Sequence, residues 1–251
     1  TLYRWLKVDQ RKGIAGIATI SDYLIAVLCK TGTVSIDPTF AHSLGGYNLK
    51  SDTWDDDMFK TLSIDMRLMP SIIPAGSLAG FYETKKRKVP VMVSFGDNQA
   101  AFIGAAGYEG NDMLINIGTG AQVCYSMAKD EQPTRLSEDM EIRPFVKDKV
   151  LLSAASLNGG NVYKSLHEFF SLCATGLFGC DSQINPQMLW EKMEKIAEGE
   201  TPGLTVVPLF NGLRSNNSLT GSISGITNYS FTPAQLIVST LHGLAHHYQS
   251  L

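Results

Sequence analysis

The 251-residue sequence lacks long apolar runs, paired cysteines and any basic excess. No apolar stretch approaches the ~18–20 residues that a membrane-spanning helix needs, so no membrane partner is expected. The four cysteines, Cys29, Cys124, Cys173 and Cys180, stand at irregular spacing and no CxxC occurs. That makes a reduced, intracellular and cytoplasmic chain the expectation. Lysine and arginine number 21 against 24 aspartates and glutamates, for a net charge of −3. The basic footprint of a nucleic-acid partner is therefore missing. The one dense basic run, Lys85-Lys86-Arg87-Lys88, reads as a solvated loop before a buried strand.

What is present is 44% hydrophobic and 18% charged, enough for one large or two smaller units with real cores. The sequence opens on Thr1 rather than Met and closes on LIVSTLHGLAHHYQSL, which reads as an uncompleted helix. A fragment is expected, which leaves open a targeting segment before it.

Residues 1–12 read as helical, Ile14–Ile20 and Leu24–Cys29 as apolar runs, and Asp37–Gly46 as a loop. Thr53–Leu62 reads as a short helix whose Asp55, Asp56 and Asp57 favour the positive end of the helix dipole over a metal. Pro70, Pro74 and the basic run place a boundary near residue 90. Beyond it come strand Val91–Phe95, a helix from about Asn98 to Ala106, a hairpin-like pair Met113–Ile117 and Ala121–Tyr125, and a buried strand Val150–Ala155. Asn161–Ser171, Pro186–Glu198 and Pro233–Ser250 read as helices, Leu204–Leu209 and Gly221–Ile226 as short strands. Strands alternating with helices, with hairpins mixed in, give an α/β chain with a mixed sheet.

Within this frame Asp97 ends the apolar run VMVSFG. An acid at the carboxyl end of a strand lies where α/β proteins place ligands. Its ordinary alternative is a helix N-cap. Gly118-Thr119-Gly120 lies between two strands, where glycines allow positive φ and let N–H groups approach an anion. The ordinary alternative there is a hairpin turn. Ser156-Leu-Asn-Gly-Gly-Asn161 opens a helix and offers a second place for phosphate, or simple capping by Asn158 or Asn161.

Two rival phosphate motifs fail. A dinucleotide fingerprint would need a third glycine at Val123 and a following helix; a P-loop would need glycines at Asn158 and Tyr163 before Lys164-Ser165. Gly221-Ser-Ile-Ser-Gly225 has Ile223 where a hydrolase elbow has serine. His242, His246 and His247 lack a supporting third ligand, so no metal site is expected.

In their order these pieces resemble the FGGY family of carbohydrate kinases. The likeness rests on Asp37-Pro-Thr-Phe-Ala-His42 followed by Lys50-Ser-Asp-Thr-Trp54, on Phe95-Gly-Asp-Asn-Gln-Ala-Ala101, on Ile117-Gly-Thr-Gly-Ala121, and on Val207-Pro-Leu-Phe-Asn-Gly-Leu213 followed by Gly221–Gly225. Ser153–Asn161 is most similar to the sedoheptulokinases within that family. The resemblance implies an actin-like, ribonuclease H-like fold of two lobes, both incomplete here. Residues 1–90 would close the sugar-binding lobe and 91–251 would begin the ATP-binding lobe.

The resemblance also assigns roles. Asp97 would be the general base, Asn98 would contact sugar, and Thr119 with the Gly118 and Gly120 amides would bind ATP phosphates. Gly160 matches a family glycine near the nucleotide. Lys164 stands where glycerol kinases carry glutamine. ATP and Mg²⁺ are the implied cofactors, and a sugar and ATP the implied partners. The implied reaction is phosphorylation of a sugar hydroxyl, with sedoheptulose ahead of xylulose, ribulose or glycerol; the isolated piece would be inactive. A non-catalytic ATP-binding regulator on the same fold is the rival, and it would have no use for a base at Asp97.

Overall fold

The structure, a computed structural model, describes residues 14–179 and 185–251. The helix expected over residues 1–12 lies outside them. The chain divides into two compact units. The first holds the residues up to Asp112 with Tyr125–Gln132 and Ile142–Leu152; the second holds Met113–Cys124, Pro133–Glu141 and Ser153–Leu251.

The first unit opens with helix α1 (Ile20–Cys29), capped by the Thr19 side chain and closed by Lys30 in the left-handed conformation. The apolar run Leu24–Cys29 is thus one part of a helix. Strand β1 (Ser35–Ile36) leads into helix α2 (Pro38–Leu44). The loop expected over Asp37–Gly46 is corrected here. Asp37 caps the helix through the Thr39 N–H, and Pro38, with its fixed φ and no N–H to lose, suits the first helical position. Gly45 and Gly46, both at positive φ, end it.

Strands β2 (Tyr47–Asn48) and β3 (Thr53–Trp54) pair antiparallel, so helix α3 (Asp56–Leu62) begins later than expected. Asp55 is its N-cap and Asp56 and Asp57 fill its first turn, as the dipole argument expects. Strand β4 (Ser71–Ile72) runs parallel to β1. Strands β5 (Leu78–Glu83) and β6 (Lys88–Met92) form an antiparallel hairpin with the basic run at its turn. This strand is earlier and more open than the buried Val91–Phe95 of the sequence reading, with Val89 and Met92 more than 40% exposed. The reason is local. The hairpin pairs with itself and packs on α1 through β5 rather than β6. Helix α4 (Asp97–Ala106) follows. The core of this unit gathers Ile36, Ala41, Phe59 and Phe102, and Phe102 meets Phe145 edge-on at 5.4 Å.

A four-stranded sheet has the order β7-β8-β10-β9, from β7 (Met113–Ile117), β8 (Ala121–Ala128), β9 (Met140–Pro144) and β10 (Lys149–Ser156). The hairpin-like neighbours and the buried β10 match the pattern read from sequence. With β1 and β4 parallel and other pairs antiparallel, the strand pairing is mixed.

In the second unit helix α5 (Gly160–Phe178) runs past its expected end to a left-handed Gly179 cap. Helix α6 (Pro186–Ala197), the antiparallel pair β11 (Thr205–Val207) and β12 (Ser222–Ser224), and helix α7 (Pro233–Gln249) complete it. Helix α7 packs on α5, α6 and β11. Its inward residues build two apolar clusters, one around Val162, Leu244 and Tyr248 and one around Leu166, Met193 and Ile237. Among the described residues no helix is long and apolar enough to cross a membrane.

Candidate active site

Asp97 and Asn98 belong to the first unit. Gly96, not Asp97, is the N-cap of α4, and it offers no side chain to the helix. Asp97 stands at the first helical position, exposed, where the helix dipole favours a negative charge. Its Oδ1 accepts the Asn98 N–H at 2.7 Å. The capping alternative therefore does not describe this residue, and its carboxylate is presented at the surface. Asn98 beside it is half-buried.

Gly96 is buried and held on both sides. Its N–H donates to Thr39 Oγ1 at 2.9 Å and its carbonyl accepts the Ala100 N–H at 2.8 Å. A Cβ there would sit 2.5 Å from Gln99 Oε1 and 3.0 Å from Thr39 Oγ1. With φ at −59°, the backbone conformation does not demand glycine; a side chain here would have to displace the Gln99 amide. Buried Gln99 anchors the next turn by donating to the Pro144 carbonyl at 3.1 Å.

The second unit brings Gly118, Thr119, Gly120 and Gly160 together. The Gly160 N–H donates to the Gly118 carbonyl at 2.8 Å and the Asn161 N–H to the Thr119 carbonyl at 3.1 Å. The first two amides of α5 are thus committed to protein acceptors. A trans peptide points its N–H opposite its C=O. The amides of Thr119 and Gly120, which share peptide planes with those two carbonyls, therefore point away from α5. The Gly118 amide instead donates to the Gly120 carbonyl at 2.8 Å. The two adjacent donors are consequently those of Thr119 and Gly120, beside the exposed Thr119 side chain.

Neither glycine of this turn has positive φ. Gly120 is required by contact: a Cβ would sit 2.5 Å from the Ser156 carbonyl oxygen, and one on Gly159 would overlap the Gly120 backbone. The two glycine-containing loops touch main chain to main chain.

Sequence reasoning missed the residue that holds this contact. Asn158, fully buried, donates to the Gly212 carbonyl at 2.8 Å and accepts the Asn211 N–H at 2.9 Å. Its own carbonyl accepts Tyr248 Oη at 3.2 Å. It is a tertiary clamp and not a helix cap. The N-cap of α5 is Gly159, and Asn161 folds back to bond the Gly159 N–H and the Leu157 carbonyl. Ser156 Oγ meets His247 Nε2 at 2.8 Å, and burial holds His247 below its ordinary range.

Lys164 lies one helical turn beyond Gly160, exposed, with Nζ 3.3 Å from Glu168. An exposed i,i+4 pair contributes little to stability. His242 and His246 have ring centroids 6.0 Å apart on α7. Among the described residues no group of three or more His, Cys, Asp or Glu could hold a metal.

Comparison with known proteins gives these halves a context. Residues 1–104 match the model of the FGGY family of carbohydrate kinases, N-terminal domain. The sedoheptulokinases of Mus musculus and Homo sapiens are each 25% identical over 248 residues, covering 96% of this chain and 51% of their own length. The chain spans about half the length of the curated relatives it matches. Among solved structures, xylulose kinase from Rhodospirillum rubrum has a TM-score of 0.80 at 18% identity, covering 100% of this chain and 51% of that one. Glycerol kinase of Plasmodium falciparum with ADP has a TM-score of 0.71 at 21% identity, covering 93% of this chain and 46% of that one. The fold is the actin-like, ribonuclease H-like α/β fold of these kinases, present in part. Over residues 1–104 the chain thus matches the N-terminal domain of the FGGY carbohydrate kinases, and along nearly all of its length it is similar to sedoheptulokinases.

Proposed function

We propose that the full-length protein transfers the terminal phosphoryl group of ATP to a sugar hydroxyl. The observation that carries this reading is the exposed Asp97 carboxylate at the start of α4, on a backbone held from both sides. Asp97 accepts the hydroxyl proton as the sugar oxygen bonds to phosphorus and the bond from phosphorus to the leaving ADP oxygen breaks. Asn98 contacts the sugar. The Thr119 hydroxyl and the Thr119 and Gly120 amides take the phosphate oxygens, where fixed donors stabilise developing charge. Gly160 lies close to the nucleotide, and Lys164 leaves Glu168 for a phosphate.

The named relatives support the nucleotide and substrate classes: one solved glycerol kinase carries ADP, and both sedoheptulokinases match along nearly the whole chain. Sedoheptulose, giving its 7-phosphate, is the proposed acceptor ahead of xylulose, ribulose and glycerol. Mg²⁺ is proposed to arrive with the nucleotide phosphates. Among the described residues no cluster of His, Cys, Asp and Glu could hold it. Residues 1–90 belong to the sugar-binding lobe and 91–251 to the ATP-binding lobe in this reading, and the protein acts in the cytoplasm.

The test is ADP release by the full-length protein with each of the four sugars and with none. Release that requires sugar, fastest with sedoheptulose, supports the kinase and its acceptor. Release indifferent to sugar turns the reading toward an ATP-binding regulator.

A further inference from the structure

We propose that Thr39 is a positioning residue for Asp97, oriented for that task by the buried carboxylate of Asp37. This rests on the assignment of Asp97 as the base.

Thr39 has one O–H to donate and lone pairs to accept with. Asp37 Oδ1 takes both the Thr39 N–H, at 2.7 Å, and the Thr39 hydroxyl proton. The donor of that hydroxyl is thereby committed, and its oxygen is left as an acceptor. What it accepts is the Gly96 N–H, from a residue 57 positions away in sequence. The result is a directed chain from N–H to hydroxyl to carboxylate, in which each bond polarises the next.

The far end of the chain is the residue before Asp97. With the Gly96 N–H fixed by Thr39 and its carbonyl fixed by Ala100, both peptide planes around Gly96 are set, and with them the origin of the Asp97 side chain. A second buried carboxylate works on the same segment: the Ser94 hydroxyl donates to Asp22, which is 1% exposed. Two buried acids thus anchor the two residues at positions 94 and 96, while the exposed acid at 97 remains for chemistry.

The cost of this arrangement points the same way. Asp37 is fully buried, and its Oδ2 has no hydrogen-bond partner among the described residues. An unsatisfied buried carboxylate oxygen is destabilising, and a neutral side chain would hold Thr39 more cheaply. Such costs concentrate where geometry serves function. Burial pushes this carboxyl up to about 6 against the lowering pull of the Thr39 bonds, which agrees with the geometry.

The experiment uses the full-length protein. Thr39→Val keeps shape and removes the hydroxyl. It should lower kcat about tenfold while the KM values for sugar and ATP stay within about twofold. Thr39→Ser should restore kcat to within about twofold of the parent. In the Asp97→Asn background Thr39→Val should cause no further loss, because both act on one step. Unchanged kcat with a lowered melting temperature, a rise confined to KM, or an equal loss in both backgrounds overturns the proposal. If Thr39→Val does not fold, Asp37→Asn keeps the Oδ1 acceptor and is read in its place, with a fall in kcat of about threefold at unchanged KM expected and no fall contradicting it. Should Asp97→Asn itself turn over normally, the base assignment fails, and that result is distinct from a neutral Thr39→Val beside an inactive Asp97→Asn.

Discussion

Gly120 and Gly159 touch main chain to main chain, so closely that a Cβ on Gly159 would overlap the Gly120 carbonyl. The contact packs against each other two glycine loops separated in sequence by β8, β9 and β10. It also separates the glycines by role. Gly159→Ala should destabilise the protein by about 1–3 kcal/mol, since backbone cannot give way as a side-chain tip can. Gly118→Ala has its nearest neighbour 4.0 Å away and should change stability by less than about 1 kcal/mol. Urea midpoints of the two variants check this, and equal midpoints contradict it.

Asn158 should be among the least replaceable residues of the second unit. Asn158→Ala removes the partners of the Asn211 N–H and of the buried Gly212 carbonyl, at a cost of about 1–3 kcal/mol. Asn158→Asp should be no better, because it loses the donor to Gly212 and buries a charge. Denaturant unfolding is the measurement, with a loss under about 1 kcal/mol for either variant contradicting the clamp.

Much of this was legible in sequence, and the failures have physical causes. The buried β10 and the helices α4, α6 and α7 follow from period and length, because each meets its core along one face or both. The dipole role of Asp55–Asp57 was legible because capping is local. Helix α2 was missed because its glycines and polar residues resemble a loop, although Asp37 before Pro38 is a start signal. The openness of β6 depends on which element covers it, and no window of sequence carries that. At the site, Asp97 was legible as a carboxylate at a strand-to-helix junction. Which amides face outward was not, because Gly118–Gly120 is set by hydrogen bonds from Gly160 and Asn161, forty residues on. Asn158 looked like a cap for the same reason: its partners lie beyond residue 210.

Stability should carry a signature of Asp37 in acid. Its folded carboxyl titrates at about 6 against an ordinary 3.8, so between roughly pH 4 and 6 the native state holds more protons than the unfolded state. That contribution is present below the unfolded value and is lost as pH rises through the folded one. Across the window the loss is on the order of 3 kcal/mol. Asp37→Asn should flatten this part of the profile. Unfolding free energies of parent and variant at three pH values in the window check it, and parallel profiles contradict it.

The exposed Lys164–Glu168 pair should matter little to folding. Lys164→Met is expected to shift stability by less than about 0.5 kcal/mol. A role at the nucleotide would appear instead as a severalfold rise in KM for ATP. An unchanged KM removes Lys164 from the proposed site.

The most direct measurement is turnover and ATP affinity of full-length Asp97→Asn with the preferred sugar. A carboxamide keeps the shape but cannot take the hydroxyl proton. kcat should fall by roughly 10²-fold or more, with the ATP dissociation constant within about twofold of the parent. Near-normal turnover would contradict Asp97 as the base, and with it the reading of this site.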